Sequence, residues 1–222
     1  MRTLSAVVIG ATGLVGSELL RQLLVHERFT SIVVLGRRPT GIAHGKLREH
    51  VVDFDAPASF ADLVVADVLF SALGTTMRAA GSAAAQYRVD HTYQLQVAQA
   101  ARRRGVRTCV LVSSGGASPR SRIFYSRMKG ELDRDVEGLR FERTRILRPG
   151  LLDGERRERR TAEQWALRVL RPLAPVLPYG LRPVRVEIVA RAAIAAALDP
   201  APGTVRVEAR ELFRLGGRGR RA

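Results

Sequence analysis

Residues 6–16 read AVVIGATGLVG: a short run of β-forming apolar side chains, Ala6 to Ile9, breaking into glycines at 10, 13 and 16. Leu14, Val15, Leu19, Leu20, Leu23 and Leu24 follow with the spacing of an amphipathic helix. A strand, a glycine turn and a helix N-terminus in that order make an anion site. The first N–H groups of the helix have no internal partner, and the helix dipole adds partial positive charge. Gly10 can supply the turn, Gly13 can let a phosphate approach the backbone, and Gly16 can let the helix lie close on the sheet. A pyrophosphate held there would meet Gly10, Thr12, Gly13, Leu14, Val15 and Gly16. The spacing is GxxGxxG rather than GxGxxG, and a bare glycine pattern is weak evidence. Context has to come from the rest of the chain.

Working outward, Ser31–Leu35 reads as a second strand ended by Gly36-Arg37-Arg38-Pro39, and His50–Val52 as a short third closing on Asp53-Phe54-Asp55. Asp67–Ala72 is a fourth, followed by Leu73-Gly74-Thr75-Thr76. Helical periodicity runs from Ala83 to Arg104, with Gly105 placed to end it. Thr108–Val112 is a fifth strand leading into Ser113-Ser114-Gly115-Gly116, a helix covers Ile123–Glu137, and Arg143–Leu147 is a sixth strand ended by Arg148-Pro149-Gly150. Strands separated by helices of this length pair in parallel through crossovers, which predicts a doubly wound α/β sheet with helices on both faces. Ligands of such sheets bind outside the carboxyl ends of the strands, where each of these small, polar or basic clusters falls.

Beyond Gly150 the alternation stops. A charged helix over Gly154–Leu170, a proline-punctuated loop, an alanine-rich helix over Val186–Leu198 and an edge strand at Thr204–Val207 are expected. The predicted organisation is a nucleotide-binding core over residues 1–150, a small appended C-terminal substrate lobe over 151–212, and a basic, disordered tail over 213–222.

At 46% hydrophobic, a chain of 222 residues can build a full core, and no apolar run approaches a membrane span. The N-terminus enters the first strand at once, which predicts no signal peptide. The single cysteine, Cys109, excludes a disulfide framework and a multi-cysteine metal site; a packing thiol and a cytoplasmic location are the expectation, with no metal. The net charge of +16 comes from arginine, since Lys46 and Lys129 are the only lysines. The arginines are dispersed and few aromatics accompany them. That predicts non-specific adhesion to nucleic acid at low salt rather than a dedicated nucleic-acid surface.

Tyr125 and Lys129 stand four apart in YSRMK, on a segment with helical periodicity, so both lie on one face one turn apart. An ammonium beside a phenol favours the phenolate and makes the tyrosine a usable acid or base; it can also reach ribose hydroxyls. In a chain that uses arginine almost everywhere, a lysine here points to a need for a compact point charge. Ser113 or Ser114, at the end of the fifth strand, can hydrogen-bond the oxygen on which the tyrosine acts. Neighbours on an extended chain face opposite ways, and Ser114, the residue leaving the strand, is favoured. Arg37 and Arg38 occupy the place where an NAD-selective site carries an acid for the ribose diol; a guanidinium there favours the 2′-phosphate of NADP(H) over NAD(H). Asp53 and Phe54 can flank the adenine, and Leu73, Gly74 and Thr75 offer backbone to the inner ribose.

Taken together, these residues resemble the short-chain dehydrogenase/reductase superfamily in its atypical subgroup. FSALGTT, YRVDHTYQLQVAQAARRRGV, VLVSSGGAS, YSRMKGELD and RILRPGLLDGER look like its Tat-interacting-protein branch, in order from Ser5 to Glu155 and more loosely to Leu198. The resemblance implies a Rossmann-type NADP(H)-binding fold, Ser114, Tyr125 and Lys129 as the catalytic set, and Pro149 beside the nicotinamide. Many superfamily members carry an asparagine on the helix after the fourth strand; here the segment reads Val89-Asp90-His91. The implied activity is hydride transfer between the cofactor and a small carbonyl or alcohol. The alternative is a regulatory protein that binds NADP(H) and a protein partner without chemistry. Helical faces of the sort that pair in this superfamily leave a homodimer open.

Overall fold

A computed structural model describes residues 2–153 and 183–217. Seven parallel strands form one sheet in the order β3-β2-β1-β4-β5-β6-β9. They are β1 (Leu4–Ile9), β2 (Phe29–Gly36), β3 (Leu47–Val51), β4 (Val68–Ser71), β5 (Thr108–Val112), β6 (Arg143–Arg148) and β9 (Gly203–Glu208). The order reverses between β1 and β4, so their carboxyl ends open a crevice at the switch point. Two short strands, β7 (Leu152–Asp153) and β8 (Val184–Arg185), pair in parallel by themselves. The doubly wound sheet expected from the sequence is what the chain forms.

The central strands read as unbroken apolar runs because both their faces are buried. Along β1, Ala6 and Val8 face one core with α1 (Leu14–Val25) and α6 (Val186–Leu198), whereas Val7 and Ile9 face the other. That second core is closed by α4 (Tyr93–Arg103) and α5 (Phe124–Gly138). Three pieces in succession, α3 (Ala83–Tyr87), a π-helical turn at Arg88–Thr92 and α4, make up the helix expected over Ala83–Arg104. Gly105, at φ +80°, follows it as expected, and the short α2 (Met77–Ala80) precedes it.

The described C-terminal elements, within residues 183–217, are built into the core rather than hung from it. The alanines of α6 let it pack closely on α1, and β9 adds to β6 as the seventh strand. Arg145, fully buried on β6, donates to the carbonyl oxygens of Gly203, at 2.9 Å, and of Asp199 and Ala201, tying β6 to the turn that leads into β9. Residues 213–217 of the expected tail are the end of a last helix, α7 (Ala209–Gly217), where Gly216 lies against Ile188 so closely that a Cβ would stand 2.2 Å from its carbonyl oxygen. Leu212 just before that short segment and Phe213 and Leu215 within it pack on the core and order it despite its charge. The helix expected over Gly154–Leu170, the proline-rich loop and residues 218–222 lie outside the described residues. Among the described residues no helix is long and apolar enough to cross a membrane.

Candidate active site

The β1–α1 turn is shaped by what its glycines lack. Gly10 has φ +83°, and a Cβ on it would stand 2.4 Å from the Ala72 carbonyl carbon and oxygen at the end of β4. A Cβ on Gly16 would stand 2.0 Å from the Gly10 carbonyl oxygen. Gly16 therefore seats the first turn of α1 on the glycine turn itself, not on the sheet as its spacing suggested. Gly13 caps α1, donating its N–H to Gly10 O at 2.9 Å, with no side-chain cap and no acid in the first turn. Thr12 and Gly13 are exposed while Val15 and Gly16 are buried, so Val15 offers a ligand backbone only. An uncapped helix start with no negative charge beside it fits a pyrophosphate.

Around this cradle, Arg37 and Arg38 are exposed at the end of β2, and neither forms an ion pair with another described residue. Asp53 turns its carboxylate onto the N–H of Asp55 at 2.9 Å. Phe54 does not flank a ligand with its ring: it is 2% exposed, stacked on Tyr93 at 5.5 Å and set against Phe60 at 5.7 Å. The residue after an exposed aspartate falls inward here because the chain turns to lay Phe54 and Phe60 under α4. Beyond β4, Gly74 is exposed and Leu73 and Thr75 are half-buried.

On α5, Tyr125, Lys129 and Asp133 follow at four-residue intervals and form one stripe running inward. Tyr125 is 39% exposed at the mouth, whereas Lys129 is 3% exposed. The Lys129 ammonium meets Asp90 Oδ1 at 3.0 Å, and Asp90 Oδ2 accepts the Thr75 N–H at 2.7 Å. Asp90, 1% exposed, is thus fastened between the loop after β4 and the lysine. A side chain on Gly74 would come within 3.3 Å of the Asp90 carboxylate. The π-helical turn carries Asp90 inward, and its carbonyl accepts from Gln94 Nε2 at 2.6 Å, with Gln94 Oε1 accepting from Ser71 at 2.7 Å. Burial is the largest influence on Lys129 and pushes its pKa down, but Asp90 first, then Tyr125 and Asp133, more than offset it and leave it raised.

The neighbouring serines part company. Ser113 is buried toward Asp133, whose carboxyl burial pushes up and Ser113 and Arg148 pull down. Ser113 Oγ and Asp133 Oδ1 lack a well-formed hydrogen bond among the described residues. Arg148 holds Asp133 Oδ2 through Nε at 3.0 Å and a second nitrogen at 2.8 Å. Ser114 is half-buried, and among the described residues its hydroxyl makes only a 3.4 Å contact with the adjacent Gly115 carbonyl. The loop is pinned on both sides: Gly115 N–H donates to Pro149 O at 2.6 Å, and Ser118 N–H to Ser126 O at 2.9 Å. Pro149 is itself buried. Sequence reasoning noticed Asp90 only as a departure and missed Asp133 and Arg148. The continuation of the Tyr125–Lys129 spacing by one more turn was the available signal for Asp133. Cys109 is a packing residue, its thiol pushed up to about 12 by burial.

Residues 6–185 match the NAD dependent epimerase/dehydratase family. "Protein fmp52, mitochondrial" of Aspergillus fumigatus is 40% identical over 220 residues, 95% of this chain and 94% of its own. "Protein FMP52, mitochondrial" of Eremothecium gossypii is 43% identical over 155 residues, 69% and 68% of the two chains. Among solved structures, MoeE5 in complex with UDP-glucose and NAD superposes with a TM-score of 0.71 at 18% identity, covering 96% of this chain and 81% of that one. The UDP-glucose 4-epimerase of Thermotoga maritima gives 0.67 at 13%, covering 98% and 84%. At such identities these superpositions speak to the fold alone. The mitochondrial names of the relatives overturn the cytoplasmic location expected from cysteine usage. One buried thiol argues against an oxidising compartment; it does not separate the cytoplasm from an organelle.

Proposed function

The chain belongs to the NAD dependent epimerase/dehydratase family, and from that premise we propose that it is an NADP(H)-dependent oxidoreductase of short-chain dehydrogenase type. Its substrate on this reading is a small carbonyl compound or the corresponding alcohol. The observation that carries the reading is the α5 stripe: a half-exposed Tyr125 with a buried, charged Lys129 one turn behind it, on the helix that follows β5.

The backbone N–H groups of the Gly10–Gly16 turn would hold the pyrophosphate, and Arg37 and Arg38, which pair with no described residue, would take the 2′-phosphate. When bound, the nicotinamide supplies or accepts the hydride. Tyr125 passes its hydroxyl proton to the carbonyl oxygen, and Lys129 favours the phenolate left behind. Ser114 donates a hydrogen bond to the same oxygen, where negative charge develops. Pro149, whose carbonyl accepts the Gly115 N–H, would lie beside the nicotinamide. Tyr125→Phe should lower reduction by about 10²–10⁴-fold while NADPH affinity, read by fluorescence titration, stays near that of the parent. Equal turnover by the two proteins across a panel of carbonyls would refute the mechanism.

A second reading is a protein that senses NADP(H) without turnover, in keeping with the Tat-interacting-protein resemblance. The acid at position 90 favours it, since a carboxylate stands 3.0 Å from Lys129 Nζ where many members of the superfamily carry an asparagine. NADPH binding with no oxidation across the same panel would select this reading.

A further inference from the structure

We propose that Asp90 is a positioning residue for the reaction above: its carboxylate clamps the Lys129 ammonium in place behind Tyr125 and ties it to the Thr75 backbone on the ribose-side loop. The inference rests on the oxidoreductase reading for its role in turnover, but the clamp itself is a property of the free protein.

Four observations carry it. Both oxygens of Asp90 are committed, one to Lys129 Nζ at 3.0 Å and the other to the Thr75 N–H at 2.7 Å, so the carboxylate can neither rotate nor release one partner without orphaning it. Asp90 and Lys129 are 1% and 3% exposed, and water cannot replace either partner. Gly74 leaves room for the Asp90 oxygen that holds the lysine, which a Cβ would approach to 3.3 Å. The π-helical turn at Arg88–Thr92 sets Asp90 inward and is braced by Gln94 and Ser71. A carboxylate held at both oxygens, in a space that Gly74 leaves open and on a turn braced by Gln94, is a built feature. An ammonium has three donors, and Asp90 occupies one, which leaves others for Tyr125 and a ribose hydroxyl. The clamp therefore does not consume the lysine; it prevents a buried amine from losing its charge.

The groups facing the Lys129 amine are Tyr125 and Asp133 from α5 and Asp90 from the π-helical turn; Ser113 just after β5 and Arg148 on β6 act on it through Asp133. Asp90 is the one in contact. Asp90→Asn keeps the shape and an acceptor for Thr75 but removes the charge, and the amine should then lose its proton at lower pH.

With two lysines in the chain, ¹³C-lysine labelling yields two side-chain signals, and Lys46→Arg assigns them. Titrated without cofactor, the Lys129 signal should change at a pH about one unit or more lower in Asp90→Asn than in the parent. An unchanged midpoint overturns the clamp. With NADPH and a carbonyl, the alkaline limb of the kcat profile should move down by the same amount, with KM for NADPH nearly constant. A shifted signal beside an unmoved limb removes Asp90 from the reaction. A shifted signal in a protein that turns over nothing leaves the clamp standing and refutes the oxidoreductase reading instead. Should Asp90→Asn fail to fold, Asp90→Asn combined with Lys129→Met tests the same pairing: folding regained supports it, and folding still lost overturns it.

Discussion

The turn between β1 and α1 is shaped by side chains that are missing, the cluster around Lys129 by side chains that meet across the fold. In the turn, backbone packs on backbone: Gly10 against Ala72, Gly16 against Gly10. Nothing there can adjust, and the glycine pattern is local in sequence. In the cluster, Asp90, Lys129, Asp133 and Arg148 come from three elements, and each charge is tolerable inside only because another answers it. A tight turn fails when anything is added; a buried charge cluster fails when anything is taken away.

The largest expected effect on cofactor binding is at Gly16. A methyl group there would press on a backbone oxygen at 2.0 Å, so Gly16→Ala must displace the turn or the helix. Overpacking of this kind costs about 1–3 kcal/mol and occasionally more, and NADPH binding should vanish with it. The same change at Gly138, at the end of α5, meets nothing within 4 Å. Gly138→Ala should leave binding intact and hold or slightly raise Tm, since alanine is favoured in helices by about 0.5–1 kcal/mol. Calorimetric Tm and an NADPH titration on both variants would test the contrast.

On the other side, Asp90→Ala should cost about 3–5 kcal/mol at neutral pH, because it leaves a buried ammonium without a partner. The sign of the pH dependence follows from the raised pKa of Lys129. The stabilisation is full below the unfolded lysine value of about 10.4 and fades as pH rises through the folded one. The gap between parent and Asp90→Ala in urea unfolding should therefore narrow in strongly alkaline solution. A gap independent of pH would mean that Asp90 acts through Thr75 alone.

This difference also explains what could be read from the sequence. β5 at Thr108–Val112 and α6 at Val186–Leu198 fall where their apolar runs place them, because a twice-buried strand and an alanine-rich helix announce themselves locally. β3 starts earlier than the expected His50, at Leu47; its exposed Arg48 and polar sequence mask a strand at the sheet edge. The π-helical turn leaves no mark because the apolar spacing runs through it undisturbed. Phe54 looked available beside an exposed aspartate, yet its burial depends on Phe60 and Tyr93 arriving from elsewhere. Asp90 could be noticed as an unusual residue, but its meeting with Lys129 is a property of the packed sheet.

A smaller effect belongs to the exposed edge of the cradle. Arg37 and Arg38 are paired with no described residue, so replacing both with alanine should leave Tm unchanged. On the proposed reading it should weaken NADPH about tenfold or more, the worth of a charged hydrogen bond, and spare NADH. Equal loss for both cofactors would place the arginines away from the 2′-phosphate.

The smallest expected effect separates two neighbours. Among the described residues Ser113 Oγ is buried without a well-formed hydrogen bond, so Ser113→Ala should cost less than about 1 kcal/mol and leave turnover intact, whereas Ser114→Ala should cut turnover and spare stability. The small cost has a sign. Asp133 has a raised pKa in the folded protein, so folding takes up a proton and stability falls as pH rises from the unfolded aspartate value to the folded one. Ser113 restrains that rise, and its removal should carry the decline to higher pH. The urea midpoint of Ser113→Ala should thus match the parent in acid and drop below it as Asp133 ionises. A deficit that is constant with pH would show that the hydroxyl fills space and does not act on the carboxylate.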